Sequence, residues 1–114
     1  GLGDVYKRQV FTQWLRRAGH EVLEADNAED GLQLVRDQVP QLVLMDVVLP
    51  GMSGFQATRA MARDAAIKHI PVIIVSTKAM ETDKAWGLRQ GAADYIVKPP
   101  REDELIARIN ELVA

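Results

Sequence analysis

Three stretches of this chain are apolar at every consecutive position: Leu42-Val43-Leu44-Met45, Val72-Ile73-Ile74-Val75 and Tyr95-Ile96-Val97. A strand that leaves one face in water alternates apolar and polar residues, whereas a strand apolar throughout must be covered on both sides. The segments between these runs have helical spacing, and strands separated by helices imply a parallel sheet packed between two helical layers. Each run also ends on a polar residue, respectively Asp46, Ser76 and Lys98. In open α/β sheets ligands gather outside the carboxyl ends of the strands, where loops converge without disturbing the core. An acid, a hydroxyl and an amine on three such ends form a candidate site.

Capping chemistry divides the rest of the chain. Phe11, Trp14, Leu15 and Ala18 share one helical face, and Gly19 is placed to stop that helix. Val22-Leu23 is a short strand candidate. Asn27 suits the next N-cap with Asp30 in the first turn, Ala28, Leu32 and Val35 face inward, and Pro40 ends the segment. Ser53 suits the cap of a helix carrying Phe55, Met61 and Ala62, and Pro71 opens the next strand. A further helix is expected over Ala79–Gln90, ended by Gly91. The last begins after Pro100, with Glu102, Asp103 and Glu104 where the helix dipole favours acids and Leu105, Ile109 and Leu112 buried. Trp14 and Trp86 read as packing residues of amphipathic helices. His20 and His69 stand singly near loops, without the partners a metal site needs.

A chain of 114 residues accommodates one domain with a real core. The absence of cysteine rules out disulfides and thiolate metal sites and favours a reducing compartment. A formal charge of -2 argues against a nucleic-acid or anionic-membrane surface. No apolar stretch approaches the roughly 20 residues of a membrane span, and no signal-peptide pattern opens the chain. A cytoplasmic location is expected.

Leu44-Met45-Asp46-Val47-Val48-Leu49-Pro50-Gly51-Met52-Ser53-Gly54, Val75-Ser76, Gly91-Ala92-Ala93-Asp94-Tyr95 and Lys98-Pro99, taken with their spacing, resemble a response-regulator receiver domain. The likeness runs from about Val10 to the C-terminus. Within the family, Ile70–Lys78, Glu81–Gly87 and Gly54–Arg59 are similar to stand-alone regulators of pilus-driven twitching motility. The resemblance implies a flavodoxin-like (CheY-like) doubly wound parallel sheet and a non-enzymatic signalling role in a two-component system. It implies that Asp46 accepts a phosphoryl group from a histidine kinase, that Lys98 and Ser76 hold phosphoryl oxygens, and that Mg²⁺ is bound by Asp46 and the backbone carbonyl of Val48. Such a carboxylate is ionised near neutral pH and can attack phosphorus directly. Tyr95 matches the family's switch aromatic, Lys98-Pro99 its cis peptide, and a downstream protein partner would dock on the face of the fourth helix and the family's fifth strand.

One departure qualifies these expectations. A receiver normally begins with a central apolar strand ending in two adjacent acids, yet residues 1–9, Gly-Leu-Gly-Asp-Val-Tyr-Lys-Arg-Gln, contain no four-residue apolar run. Asp4 is the nearest acid and is out of register. Residues 1–9 therefore read as foreign to the family (an assembly artefact, a cloning scar or a truncation boundary), and residues 10–114 as a receiver domain lacking its usual first strand. Weak or absent Mg²⁺ binding and slow phosphorylation would follow, because a dication held by one carboxylate binds weakly. Two other readings stay open: a phosphorylation-independent interaction module or non-functional fragment, and an aspartyl-nucleophile phosphatase. Against the second stands Val48, where such enzymes carry a general acid. Flavin binding lacks a phosphate-cradling loop after a first strand.

Overall fold

The three apolar runs become the three strands of a parallel sheet. A computed structural model describes residues 11–114. The elements in chain order are α1 (11–17), α2 (Ala28–Gln38), β1 (Val43–Met45), α3 (Gly54–Arg63), β2 (Val72–Ser76), α4 (Glu81–Gln90), β3 (Asp94–Val97) and α5 (Glu102–Val113). The strands lie in the order β1-β2-β3, with Met45 beside Ile74 and Ser76 beside Val97.

Burial of the central strand explains its composition. All five residues of β2 are buried, and their side chains alternate between two cores. Val72 and Ile74 join Leu32, Val35, Met45, Ala57 and Met61 on the side of α2 and α3. Ile73 and Val75 join Ile96, Leu105 and Ile109, against which Phe11, Trp14 and Leu15 of α1 pack. A residue exposed at any of these strand positions would leave one helical layer without a floor.

The helix ends follow their cap residues. The Asn27 side chain accepts the Asp30 N–H at 2.8 Å, and Ala28, Leu32 and Val35 are the buried residues of α2. Ser53 and Gln56 form a reciprocal capping box at the start of α3. Gly91 ends α4 in the left-handed conformation (φ 116°). At the end of α2, however, the left-handed residue is Val39 (φ 45°), a β-branched side chain in a conformation that disfavours it.

Two local expectations are corrected. Val22-Leu23 is not a strand: no ladder forms over residues 21–25, and Leu23 is 54% exposed. A strand exists only by pairing, and among the described residues none runs alongside this segment. Trp86 is 47% exposed rather than packed, because α4 seats itself through Gly87 and Gln90, its buried residues. A Cβ on Gly87 would stand 2.8 Å from the Tyr95 ring and 2.9 Å from Ile74 Cδ1, so the helix approaches the sheet through that glycine and its larger side chains turn away. The expected boundary between residues 1–9 and 10–114, and Asp4 with it, lies outside the described residues. No described helix is long and apolar enough to cross a membrane.

Candidate functional site

Parallel pairing brings the carboxyl ends of β1, β2 and β3 to one edge of the sheet, and with them Asp46, Ser76 and Lys98. The side chains of Lys98 and Asp46 are in direct contact. Lys98 Nζ donates to Asp46 Oδ2 at 2.8 Å, joining residues 52 apart in the chain. Both are partly buried, with side chains 19% and 33% exposed, so the pair is less screened than a surface ion pair yet open to an incoming group. The other carboxylate oxygen, Oδ1, accepts the Val48 N–H at 3.2 Å, which orients the acid toward the mouth of the loop. Lys98 Nζ also stands 6.0 Å from the centroid of the Phe11 ring, on whose face a cation is favoured.

Ser76 is fully buried, and its hydroxyl oxygen accepts the Lys78 N–H at 3.2 Å. Its carbonyl accepts the Lys98 N–H at 2.8 Å, extending the β2–β3 ladder by one rung to the site. Tyr95 is also turned inward, and its phenol donates to the Lys78 carbonyl at 2.7 Å. Burial pushes the Tyr95 phenol above its ordinary value, and the adjacent Ser76 hydroxyl partly offsets that shift. Ser76, Lys78 and Tyr95 thus form one hydrogen-bonded unit beside the Asp46–Lys98 pair. The Lys98–Pro99 peptide is cis.

The loop from Asp46 to Gly54 is held at both ends. Gly54 donates its N–H to the Val47 carbonyl at 3.0 Å, and Thr58 Oγ1 donates to the Gly54 carbonyl at 2.8 Å. A Cβ on Gly54 would stand 1.9 Å from the Asp46 carbonyl oxygen, so only glycine lets the start of α3 pass this close behind the acid. Glu29 of α2 accepts the Met52 N–H at 3.4 Å, and its carboxylate lies over Gly51. Gly54, Glu29 and Phe11 were not singled out as site residues from the sequence. Gly54 lies within a motif that was, whereas nothing in the sequence spacing couples Glu29 or Phe11 to this loop.

Among the described residues no group of three acidic or imidazole side chains could hold a metal ion. The one expected ligand side chain here, the Asp46 carboxylate, meets only the protein's minimum share of a magnesium site, in which one or two carboxylates act with waters and substrate phosphate.

A parallel α/β sheet with an acid, a hydroxyl and a lysine at adjacent strand ends is the architecture of a signalling receiver module. The chain belongs to the response-regulator receiver domain family, whose model matches residues 4–110. Members of this family are signalling modules of two-component systems, which take phosphoryl groups from histidine kinases. The chain is 51% identical to Protein PilH of Pseudomonas aeruginosa over 111 residues, covering 97% of this chain and 89% of PilH. It spans under half the length of several transcriptional regulators that it also matches. A crystal structure from Chloroflexus aurantiacus J-10-fl superposes with a TM-score of 0.92 at 28% identity, covering 96% of this chain and 90% of that one. The receiver domain of sensor histidine kinase PA1611 from Pseudomonas aeruginosa, solved with magnesium in its active-site cleft, superposes with a TM-score of 0.86 at 25% identity, covering 95% and 88%.

Proposed function

We propose that Asp46 is the phosphoacceptor of this receiver domain. The observation that carries the reading is the 2.8 Å contact between Asp46 and Lys98 at the open edge of the sheet, with Ser76 on the strand between them. In transfer from a phosphohistidine, an Asp46 oxygen forms a bond to phosphorus as the phosphorus–nitrogen bond breaks. The electron pair returns to the imidazole. Lys98, now bound to Oδ2, follows the charge onto a phosphoryl oxygen, and Ser76 donates to another; both groups stabilise charge without moving protons. The Ser76 hydroxyl gives up its place against the Lys78 N–H to do so. That disturbs the unit containing Tyr95, which makes Tyr95 the switch that reports phosphorylation on the face of α4 and β3, where a downstream protein docks.

Mg²⁺ would be held by Asp46 and the Val48 carbonyl and would neutralise phosphoryl charge. With Asp4 the nearest acid in residues 1–9 and out of register, the site binds the ion weakly, and phosphorylation is slow. The receiver unit is placed at residues 10–114, with 1–9 outside it, although the family match begins at residue 4. The identity to PilH supports a cytoplasmic role in controlling pili and twitching motility.

Intact-mass analysis after incubation with acetyl phosphate and Mg²⁺ tests the reading. A slow gain of one phosphoryl group that disappears in Asp46→Asn is expected, and equal labelling of that variant would refute it. Tight Mg²⁺ or beryllofluoride binding would overturn the weak-site argument. Complete inertness would favour a second reading, a phosphorylation-independent interaction module, which the lack of an adjacent acid pair in residues 1–9 supports. Turnover of para-nitrophenyl phosphate would instead mark a phosphatase, against which Val48 stands at the general-acid position.

A further inference from the structure

Away from the Asp46 edge, α3 and α4 border a cleft of about 400 Å³ lined by Arg59, Ala62, Arg63, Trp86, Arg89 and Gln90. Its floor is narrow because Gly91 lets the end of α4 approach Ala62; a Cβ there would stand 2.9 Å from the Ala62 methyl. Three features set this cleft apart from an ordinary solvated surface. The chain is net acidic, yet the charged lining here is three guanidinium groups and no carboxylate. Among the described residues those guanidiniums make no hydrogen bond or ion pair, whereas Arg36, Arg101 and Arg108 are each paired with an acid. Arg59 and Arg63 lie one turn apart on α3, where like charges work against the helix. Between these cations Trp86 is 47% exposed, an apolar area the fold leaves wet.

Unpaired arginines around an exposed tryptophan have the composition that dominates binding energy at protein interfaces. We propose that the α3–α4 cleft is a docking site for an acidic segment of a partner protein, with carboxylates meeting Arg59, Arg63 and Arg89 and an apolar side chain covering Trp86. This surface is distinct from the α4–β3 face of the phosphorylation switch, and the inference does not rest on that reading. Charge complementarity selects the occupant. Three cations fall short of the six to ten phosphate contacts typical of nucleic-acid binders, and the net negative charge of the chain repels a long polyanion.

The probe is a fluorescein-labelled helical peptide with Glu or Asp one turn apart and a Phe between them, titrated with the full chain and followed by anisotropy. A Gln/Asn version of the peptide, a single-stranded DNA oligonucleotide and sedimentation of the chain alone run beside it. The expected result is saturable binding of the acidic peptide that weakens at least about tenfold between about 0.05 M and 0.5 M salt. A comparable loss is expected in Arg59→Gln/Arg63→Gln/Arg89→Gln, along with quenching of the Trp86 emission isolated in a Trp14→Phe background. If the triple variant fails to fold, the salt titration and Trp86 quenching on chains with intact arginines carry the same test. Equal affinity for the Gln/Asn peptide, preference for DNA, salt-insensitive binding, or self-association that occupies the cleft would each overturn the proposal.

Discussion

Gly31 and Gly54 both lie in helices, and the same substitution should move stability in opposite directions at the two positions. At Gly31, inside α2, an added Cβ meets only the Ala25 methyl at 3.8 Å, an ordinary contact. Alanine there removes the glycine penalty of a helix interior and restricts the unfolded chain, a gain of about 0.5–1 kcal/mol. At Gly54 the new Cβ would fall 1.9 Å from the Asp46 carbonyl oxygen and 2.9 Å from Val47 Cα, both backbone atoms that cannot swing aside. The start of α3 must therefore retreat, weakening the Gly54–Val47 and Thr58–Gly54 hydrogen bonds. Each is worth about 1 kcal/mol net, and forced overpacking adds about 1–3 kcal/mol. Against the propensity gain of alanine, the expected loss for Gly54→Ala is about 2–4 kcal/mol. Urea unfolding followed by far-UV circular dichroism separates the cases: Gly31→Ala shifts the midpoint upward and Gly54→Ala sharply downward. If Gly54→Ala unfolds at the parent's midpoint, or if Gly31→Ala falls with it, the close approach of α3 to the Asp46 carbonyl is wrong.

Val39→Gly should stabilise the chain by about 0.5–1 kcal/mol, because it relieves a left-handed β-branched residue that is half exposed and gives up little burial; thermal melts read the gain. Tyr95→Phe removes the phenol's bond to the Lys78 carbonyl and should cost about 0.5–1.5 kcal/mol near neutral pH. Since the folded state raises the Tyr95 phenol, its contribution is complete below the ordinary value of 10.0 and is lost as pH rises through the folded value; Tyr95→Phe should flatten that alkaline decline in denaturation measured against pH. Asp64 behaves in the opposite sense. The Ala66 N–H and Arg36 hold its carboxyl below 3.8, so its contribution is complete above that value and fades as pH falls below it, and Asp64→Asn should reduce the acid dependence of stability.

The parts of the fold visible in the sequence are those set by local chemistry. Asn27, Ser53 and Gly91 mark helix ends because each satisfies orphan backbone groups or accepts a left-handed φ, and the apolar runs mark strands because both of their faces are covered. Ala28, Leu32 and Val35 follow from helical period alone. What escaped depends on partners distant in the chain. Val22-Leu23 has strand composition, but composition supplies no neighbour to pair with. Trp86 looks like an anchor until Gly87 is seen to touch Tyr95 and Ile74, and nothing in the spelling of a glycine announces a contact. At the candidate site, Asp46, Ser76 and Lys98 were legible as endings of strands. The neighbours Phe11, Glu29 and Gly54 were not, because their proximity to the pair is created by tertiary packing.

The seating of α4 on Gly87 and Gln90 has a mechanical corollary. Stability from burial scales with the apolar area withdrawn from water, about 25 cal/mol for each Å². A glycine contributes almost none of it, and a glutamine contributes largely polar surface. This helix therefore rests on the sheet by fit more than by greasy adhesion, and a small slide or roll tears no large hydrocarbon group from its socket. Its neighbour α3, pinned by fully buried Ala57, Thr58 and Met61, has no such freedom, which leaves the molecule one stiff wall and one compliant wall facing each other.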